Sequence, residues 1–166
     1  MVGATLILTL TLDAASQNYF TSLRNKYYPK YCNYIEAHLT LFHRLPPDEI
    51  LIEETLQLLT KRNQFNLEVT GIQNTRKGNA FIIASDELQK MHKELQHTFD
   101  KYLISKDRQL LSPHITVQNK VTAFKAKTTT EILNATFTPF SVKAVGIDLW
   151  LYLKGSWQKK NTFLFT

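Results

Sequence analysis

A single cysteine, Cys32, excludes an internal disulfide framework and a cysteine-built zinc cluster. Glycine and proline are sparse as well, five of each in 166 residues, which fits neither a collagenous nor a low-complexity chain. No apolar run approaches the roughly 18 residues needed to cross a bilayer. The opening stretch, Met1 to Leu8, has neither the basic lead nor the cleavage site of a signal peptide. A cytoplasmic protein with no membrane partner is therefore expected. No glycine-rich turn opens a helix, so the phosphate loops of Walker and dinucleotide folds are missing. There is no His-Glu-x-x-His either, and no metal site and no cofactor are expected.

What is present describes a folded chain. Hydrophobic residues make up 43% of it, enough for one domain over residues 1–166, or for two small lobes fused across a shared interface. The net charge is +6 with a pI near 9.4. Such a balance suits anionic partners such as phosphates or nucleic acid, though ordinary solubility charge accounts for it equally well. The basic residues form pairs, Lys61-Arg62, Arg76-Lys77 and Lys159-Lys160, rather than a dense run.

The hydrophobic pattern alternates between two periods. Residues 5–12 read as a buried strand, and Asp13 can cap a helix carrying Tyr19, Phe20, Leu23 and Tyr27 that stops before Pro29. A strand at 36–43 follows a basic, tyrosine-rich loop. Pro46-Pro47-Asp48 then breaks the chain and caps a helix with the stripe Ile52, Thr55, Leu56, Leu59. Runs at 65–75 and 79–84 flank Arg76-Lys77-Gly78 as a hairpin. The clearest helix starts at Ser85 or Asp86 and aligns Leu88, Met91, Leu95, Phe99 and Tyr102. A strand at 113–119, a weaker helix at 123–134, and a second hairpin (141–153, 157–165) about Lys154-Gly155-Ser156 complete the chain.

Two stretches stand out within this order. Ala37-His38-Leu39-Thr40-Leu41-Phe42 and Pro113-His114-Ile115-Thr116-Val117 each set a histidine two residues before a threonine in an apolar run. In an extended strand such a pair shares one face. Both motifs occupy equivalent places: a helix before, then a helix, a long strand, a glycine turn and a returning strand after. Sequence identity between the halves is slight, so the repeat is one of architecture.

On these residues the chain resembles the two-histidine (2H) phosphoesterase superfamily, in particular its branch of RNA 2′,5′-ligase-like (LigT) proteins and 2′,3′-cyclic phosphodiesterases. The resemblance implies an α+β, bilobal fold with pseudo-twofold symmetry. Two antiparallel sheets would face each other across a central cleft, with helices on their outer faces. It implies a metal-independent phosphoesterase acting on a nucleotide or RNA phosphodiester, above all a 2′,3′-cyclic phosphate. His38 and His114 would be the acid–base pair, Thr40 and Thr116 the donors to phosphate oxygens. The resemblance leans to His114 as the base. One departure is Phe42-His43-Arg44, where many members have a small residue and a glycine.

The residues support that chemistry independently. In-line displacement at phosphorus needs a base and an acid, and imidazoles titrating near 6.5 can be both at neutral pH. A lone strand histidine is more often a hydrogen-bonded core residue, yet two matched ones in matched units favour the catalytic reading. His43 lies an odd number of positions from His38 and is expected on the opposite face. His92 and His97 are expected in solvent. Arg44 and Lys120, each six residues beyond a motif histidine, would share its face about 20 Å along the strand; they either suit flanking phosphates or are ordinary strand-end cations. Trp150 and Tyr152 alternate with Leu149 and Leu151; they would either line the cleft and stack on a base or pack between sheets. Two other functions fit the same residues: an RNA- or nucleotide-binding module without turnover, and a reversible RNA 2′,5′-ligase. The chain is expected to be monomeric.

Overall fold

In a computed structural model the described residues are 3–166; Met1 and Val2, at the start of the stretch read against a leader, lie outside them. The elements run β1 (Thr5–Leu12), α1 (Ala14–Tyr27), β2 (Leu39–Leu45), α2 (Ile50–Leu59), β3 (Phe65–Asn74), β4 (Asn79–Ala84), α3 (Asp86–Thr98), β5 (His114–Gln118), α4 (Ala123–Thr136), β6 (Phe140–Leu153) and β7 (Ser156–Leu164). Local chemistry explains most boundaries. The Asp13 carboxylate accepts the Ser16 amide and starts α1, and the Ser85 hydroxyl does the same for Leu88 at the head of α3. The cap expected of Asp48 is not made: Glu49 holds the N-cap position of α2, without a side-chain bond. The α3 helix stops at Thr98, and Tyr102 follows on a separate short 3-10 turn.

The seven strands form one hydrogen-bonded antiparallel sheet, ordered β2-β1-β6-β3-β4-β5 with β7 on β6. The expected pair of facing sheets is therefore a single sheet. Its continuity comes from the 14-residue β6. Residues Phe140 to Ala144 pair with β3, and from Gly146 onward the same edge pairs with β7, while β1 takes the other edge. The two motif strands, β2 and β5, are the terminal strands of the path. Yet His38 and His114 line one cavity, so the sheet curls until its ends approach each other, as a half-barrel. Twist accumulating over six strands supplies that curvature. The helix–strand order of α1-β2-α2-β3-β4 recurs as α3-β5-α4-β6-β7.

One core joins the sheet to its helices. Phe20 of α1, Ile52 and Leu56 of α2, and Leu88, Met91 and Leu95 of α3 pack on Leu6, Leu8, Leu67, Phe81, Ile115, Ile147 and Leu149. The two glycine turns differ in kind. Lys154 and Gly155 both have positive φ (51° and 83°), the twist-matched turn of a two-residue hairpin. At the other, Arg76 takes the positive φ, and Gly78 serves close approach: a Cβ there would lie 1.8 Å from the Gln118 carbonyl oxygen.

Candidate active site

Neither motif histidine sits mid-strand. His38 immediately precedes β2 and His114 is the first residue of β5. Each turns its ring back on the chain in the same way. His38 Nδ1 lies 2.9 Å from the Glu36 carbonyl oxygen, and His114 Nδ1 lies 2.7 Å from that of Ser112. A carbonyl can only accept, so each Nδ1 carries the proton. Each neutral ring is thereby fixed in the tautomer whose Nε2 bears the free lone pair.

Thr40 and Thr116, two residues on, line the same cavity of about 200 Å³ as both histidines. The period-two reading of each motif thus holds over its first three residues, with Leu39 and Ile115 fully buried between them. Beyond Thr40 it fails. Thr9 of β1 faces Thr40, but the next residue, Leu8, faces Phe42, so β2 holds an extra residue at Leu41. A bulge moves the alternation by one. Leu41 and Phe42 are both buried, and His43 opens into the cavity beside His38 and Thr40. The expectation that His43 faces away is thus overturned.

Backbone groups of β2, the terminal strand, are satisfied by α3 and the loop after it. His92 Nε2 donates to the Leu41 carbonyl at 3.0 Å. Asp107, in the 3-10 turn Ser105–Arg108, accepts the amides of His43 and Arg44 at 2.9–3.1 Å and the His43 Nδ1 at 2.9 Å. His92 is only 2% exposed, which corrects its expected place in solvent. Burial lowers its pKa, with the bond to Leu41 and the nearby Asp107 charge opposing. For Asp107 burial resists ionisation, but the hydrogen bonds from the His43 ring and the two amides outweigh it, and the carboxyl falls below its ordinary value.

Around His38 the electrostatics are strongly biased. The residue is half-buried by surface area, yet protein atoms crowd its ring. This desolvation pushes its pKa down to about 4; the bond to Glu36 opposes, and the charges of Arg24, His114 and His43 add to the depression. Arg24 escaped the sequence reading. It is 4% exposed on α1, with Nε on the Asn33 side-chain oxygen at 2.9 Å, Nη1 on the Thr116 carbonyl at 3.3 Å, and its guanidinium 3.9 Å over the Tyr28 ring. Its place four residues after the buried Phe20 was the available signal.

An aromatic wall adjoins His38 on its other side. Arg24, Tyr34, Lys120, Tyr152 and Trp157 border a concavity of about 400 Å³ that also reaches His38 and Thr116. Trp157, another residue the sequence reading missed, lies 5.1 Å from the His38 ring, centroid to centroid. It touches Trp150 and Tyr152 edge-on. Trp150 sits in a neighbouring groove with Thr9, bonded through Nε1 to the Thr9 hydroxyl at 2.9 Å and covered by Lys159. Lys120 comes to the cleft from a loop with positive φ (62°), past the end of β5, and not along a strand face. Arg44 lies beyond the bulge and does not line the histidine cavity. Among the described residues, no three His, Cys, Asp or Glu side chains are arranged to hold a metal ion, and no helix is long and apolar enough to cross a membrane.

Comparisons with known proteins bear on the family and the fold. The family model of the 2′-5′ RNA ligase superfamily matches residues 12–156. Among solved structures, TT0787 of Thermus thermophilus is similar with a TM-score of 0.67 at 15% identity, over 97% of both chains. E. coli LigT complexed with 3′-AMP is similar with a TM-score of 0.60 at 16% identity, over 98% of both chains. A protein described as a phosphoesterase gives 0.60 at 16% identity, over 99% of both. No curated protein matches the sequence.

Proposed function

The chain belongs to the 2′-5′ RNA ligase superfamily, the family of two-histidine phosphoesterases that its motifs resemble, and from that premise we propose that it is a metal-independent 2′,3′-cyclic phosphodiesterase of nucleotides or RNA, built as one domain of two lobes. The observation carrying this reading is the matched pair of rings. Both Nδ1 atoms donate to the carbonyl two residues back, leaving both Nε2 atoms for one cavity that also holds both threonines.

In the proposed reaction a water oxygen attacks the phosphorus of the cyclic ester and its proton passes to His38 Nε2. The bond from phosphorus to one ribose oxygen breaks, and that oxygen takes a proton from Nε2 of doubly protonated His114. A phosphomonoester and a free hydroxyl result. His38 is assigned as acceptor because its depressed pKa keeps it neutral at pH 7, which reverses the lean toward His114. The Thr40 and Thr116 hydroxyls donate to non-bridging oxygens as charge develops there. Trp157, Tyr152 and Lys120 make a surface for a base and a flanking phosphate beside His38. E. coli LigT structures with 3′-AMP, ATP and NADP+ support a nucleotide-shaped ligand.

Hydrolysis of 2′,3′-cyclic nucleotides and of RNA ending in a cyclic phosphate, with EDTA present, tests the proposal. His38→Ala and His114→Ala should each lower the rate by about 10²–10⁴-fold. Mutant rates equal to wild type refute it. Ligation of a 2′,3′-cyclic end to a 5′-hydroxyl end is the same ring opening with the 5′-hydroxyl oxygen attacking in place of water, and the superfamily's name favours including that assay.

A further inference from the structure

The cavity holds four imidazoles. His38 and His114 carry the motifs, and His92 is committed to the Leu41 carbonyl. His43 has no such task. The bulge at Leu41 turns it into the cavity, its side chain is 39% exposed, and Asp107, 1% exposed, grips its Nδ1 at 2.9 Å. Asp107 is itself pinned by the His43 and Arg44 amides, so the ring's orientation is fixed through three bonds. With Nδ1 donating to the carboxylate, Nε2 is the ring's remaining polar atom. Lys106, exposed and one residue before Asp107, lines the same cavity.

We propose that His43, oriented by Asp107, and Lys106 form a second anion subsite beside the two motifs, one that takes a phosphate adjacent to the scissile phosphate. This rests on the reading of His38 and His114 as the scissile-phosphate site and narrows its substrate class to molecules bearing at least two phosphates. The chemistry suits the task. The ring gives its Nδ1 side to the Asp107 carboxylate and turns its Nε2 side to a phosphate oxygen. The Asp107 oxygens face the β2 amides and the His43 ring rather than the incoming anion. A 2′,3′-cyclic mononucleotide would leave this subsite empty, whereas an oligonucleotide end or a nucleotide with a further phosphate would fill it.

The test compares inorganic pyrophosphate with orthophosphate on the full chain, by calorimetry and by NMR of ¹⁵N-labelled histidines. Pyrophosphate should bind about tenfold or more tightly than orthophosphate and shift the His43 Nε2 resonance together with those of His38 and His114. His43→Asn, whose amide can replace the Nδ1 donor to Asp107 but not Nε2, should bring the two affinities within about twofold. His43→Gln, with its amide nearer the Nε2 position, should keep most of the preference. Full preference in His43→Asn overturns the proposal, as does an unmoved His43 resonance while His38 and His114 respond. If His43 responds and the other two do not, the subsite stands and the scissile-phosphate assignment falls. Silence of all three overturns both.

Discussion

Protonating His38 should cost the folded state measurable stability as the pH falls from about 6.5 toward about 4. In the native protein its pKa lies at about 4, and in the unfolded chain it returns to about 6.5. Between those values the unfolded chain binds the extra proton, so unfolding becomes easier as pH falls. The contribution is fully present above about pH 6.5, declines on acidification, and levels off below about pH 4. The difference of roughly 2.5 units sets a ceiling of about 3 kcal/mol. Solvent contact of the half-buried ring and relaxation around it reduce the expected effect to about 1–2 kcal/mol. The assay is urea unfolding at intervals from pH 7.5 to 4.2, for wild type and for His38→Asn. Asn can still donate to the Glu36 carbonyl but does not titrate, so subtracting the two curves removes the parallel contribution of His92, which is shifted in the same direction. Identical pH dependence in both proteins, or an NMR midpoint for His38 near 6.5, refutes the argument that crowding and the Arg24 charge hold this ring neutral. The same depression places the acid limb of kcat/KM below pH 6, since His38 remains a proton acceptor there.

Two further outcomes follow from packing. Gly78→Ala would drive a Cβ into the Gln118 carbonyl; the hairpin must shift off β5, and urea unfolding should show a loss of about 2 kcal/mol or more, with a loss under about 0.5 refuting the close-approach argument. Trp157→Ala removes the ring beside His38 and should weaken nucleotide binding by about 1–3 kcal/mol while leaving orthophosphate affinity unchanged, as measured by calorimetry; unchanged nucleotide affinity excludes Trp157 as a stacking surface.

Most element positions were readable because they depend on neighbours in sequence. Asp13 and Ser85 cap the helices expected of them, and the His-x-Thr alternation puts each pair on one face. What escaped depends on neighbours in space. Parity placed His43 away from the site because nothing in residues 38–43 announces that Leu8 will skip Leu41 and face Phe42. His92 looked solvated for the same reason: its partner is a carbonyl of the edge strand β2, remote in sequence. Arg24 was passed over because a charged side chain on a helix is usually solvated, although its position after Phe20 pointed inward. That β6 is long enough to join both halves in one sheet could have been suspected from its length, but not its exchange of β3 for β7 along one edge.

Strands at the end of a sheet ordinarily invite a foreign strand to add on, since their outer amides and carbonyls are unpaired. Here both ends are the walls of the cleft, and both are already taken. On β2 the Asp107 carboxylate and the His92 ring occupy amides and a carbonyl that an added strand would need. On β5 the Arg24 guanidinium holds the Thr116 carbonyl. The groups that shape the cleft therefore also guard these two edges, leaving β7 as the sheet's remaining edge strand, and variants that loosen Asp107 or Arg24 should open β2 or β5 to strand addition as well as disturb the site.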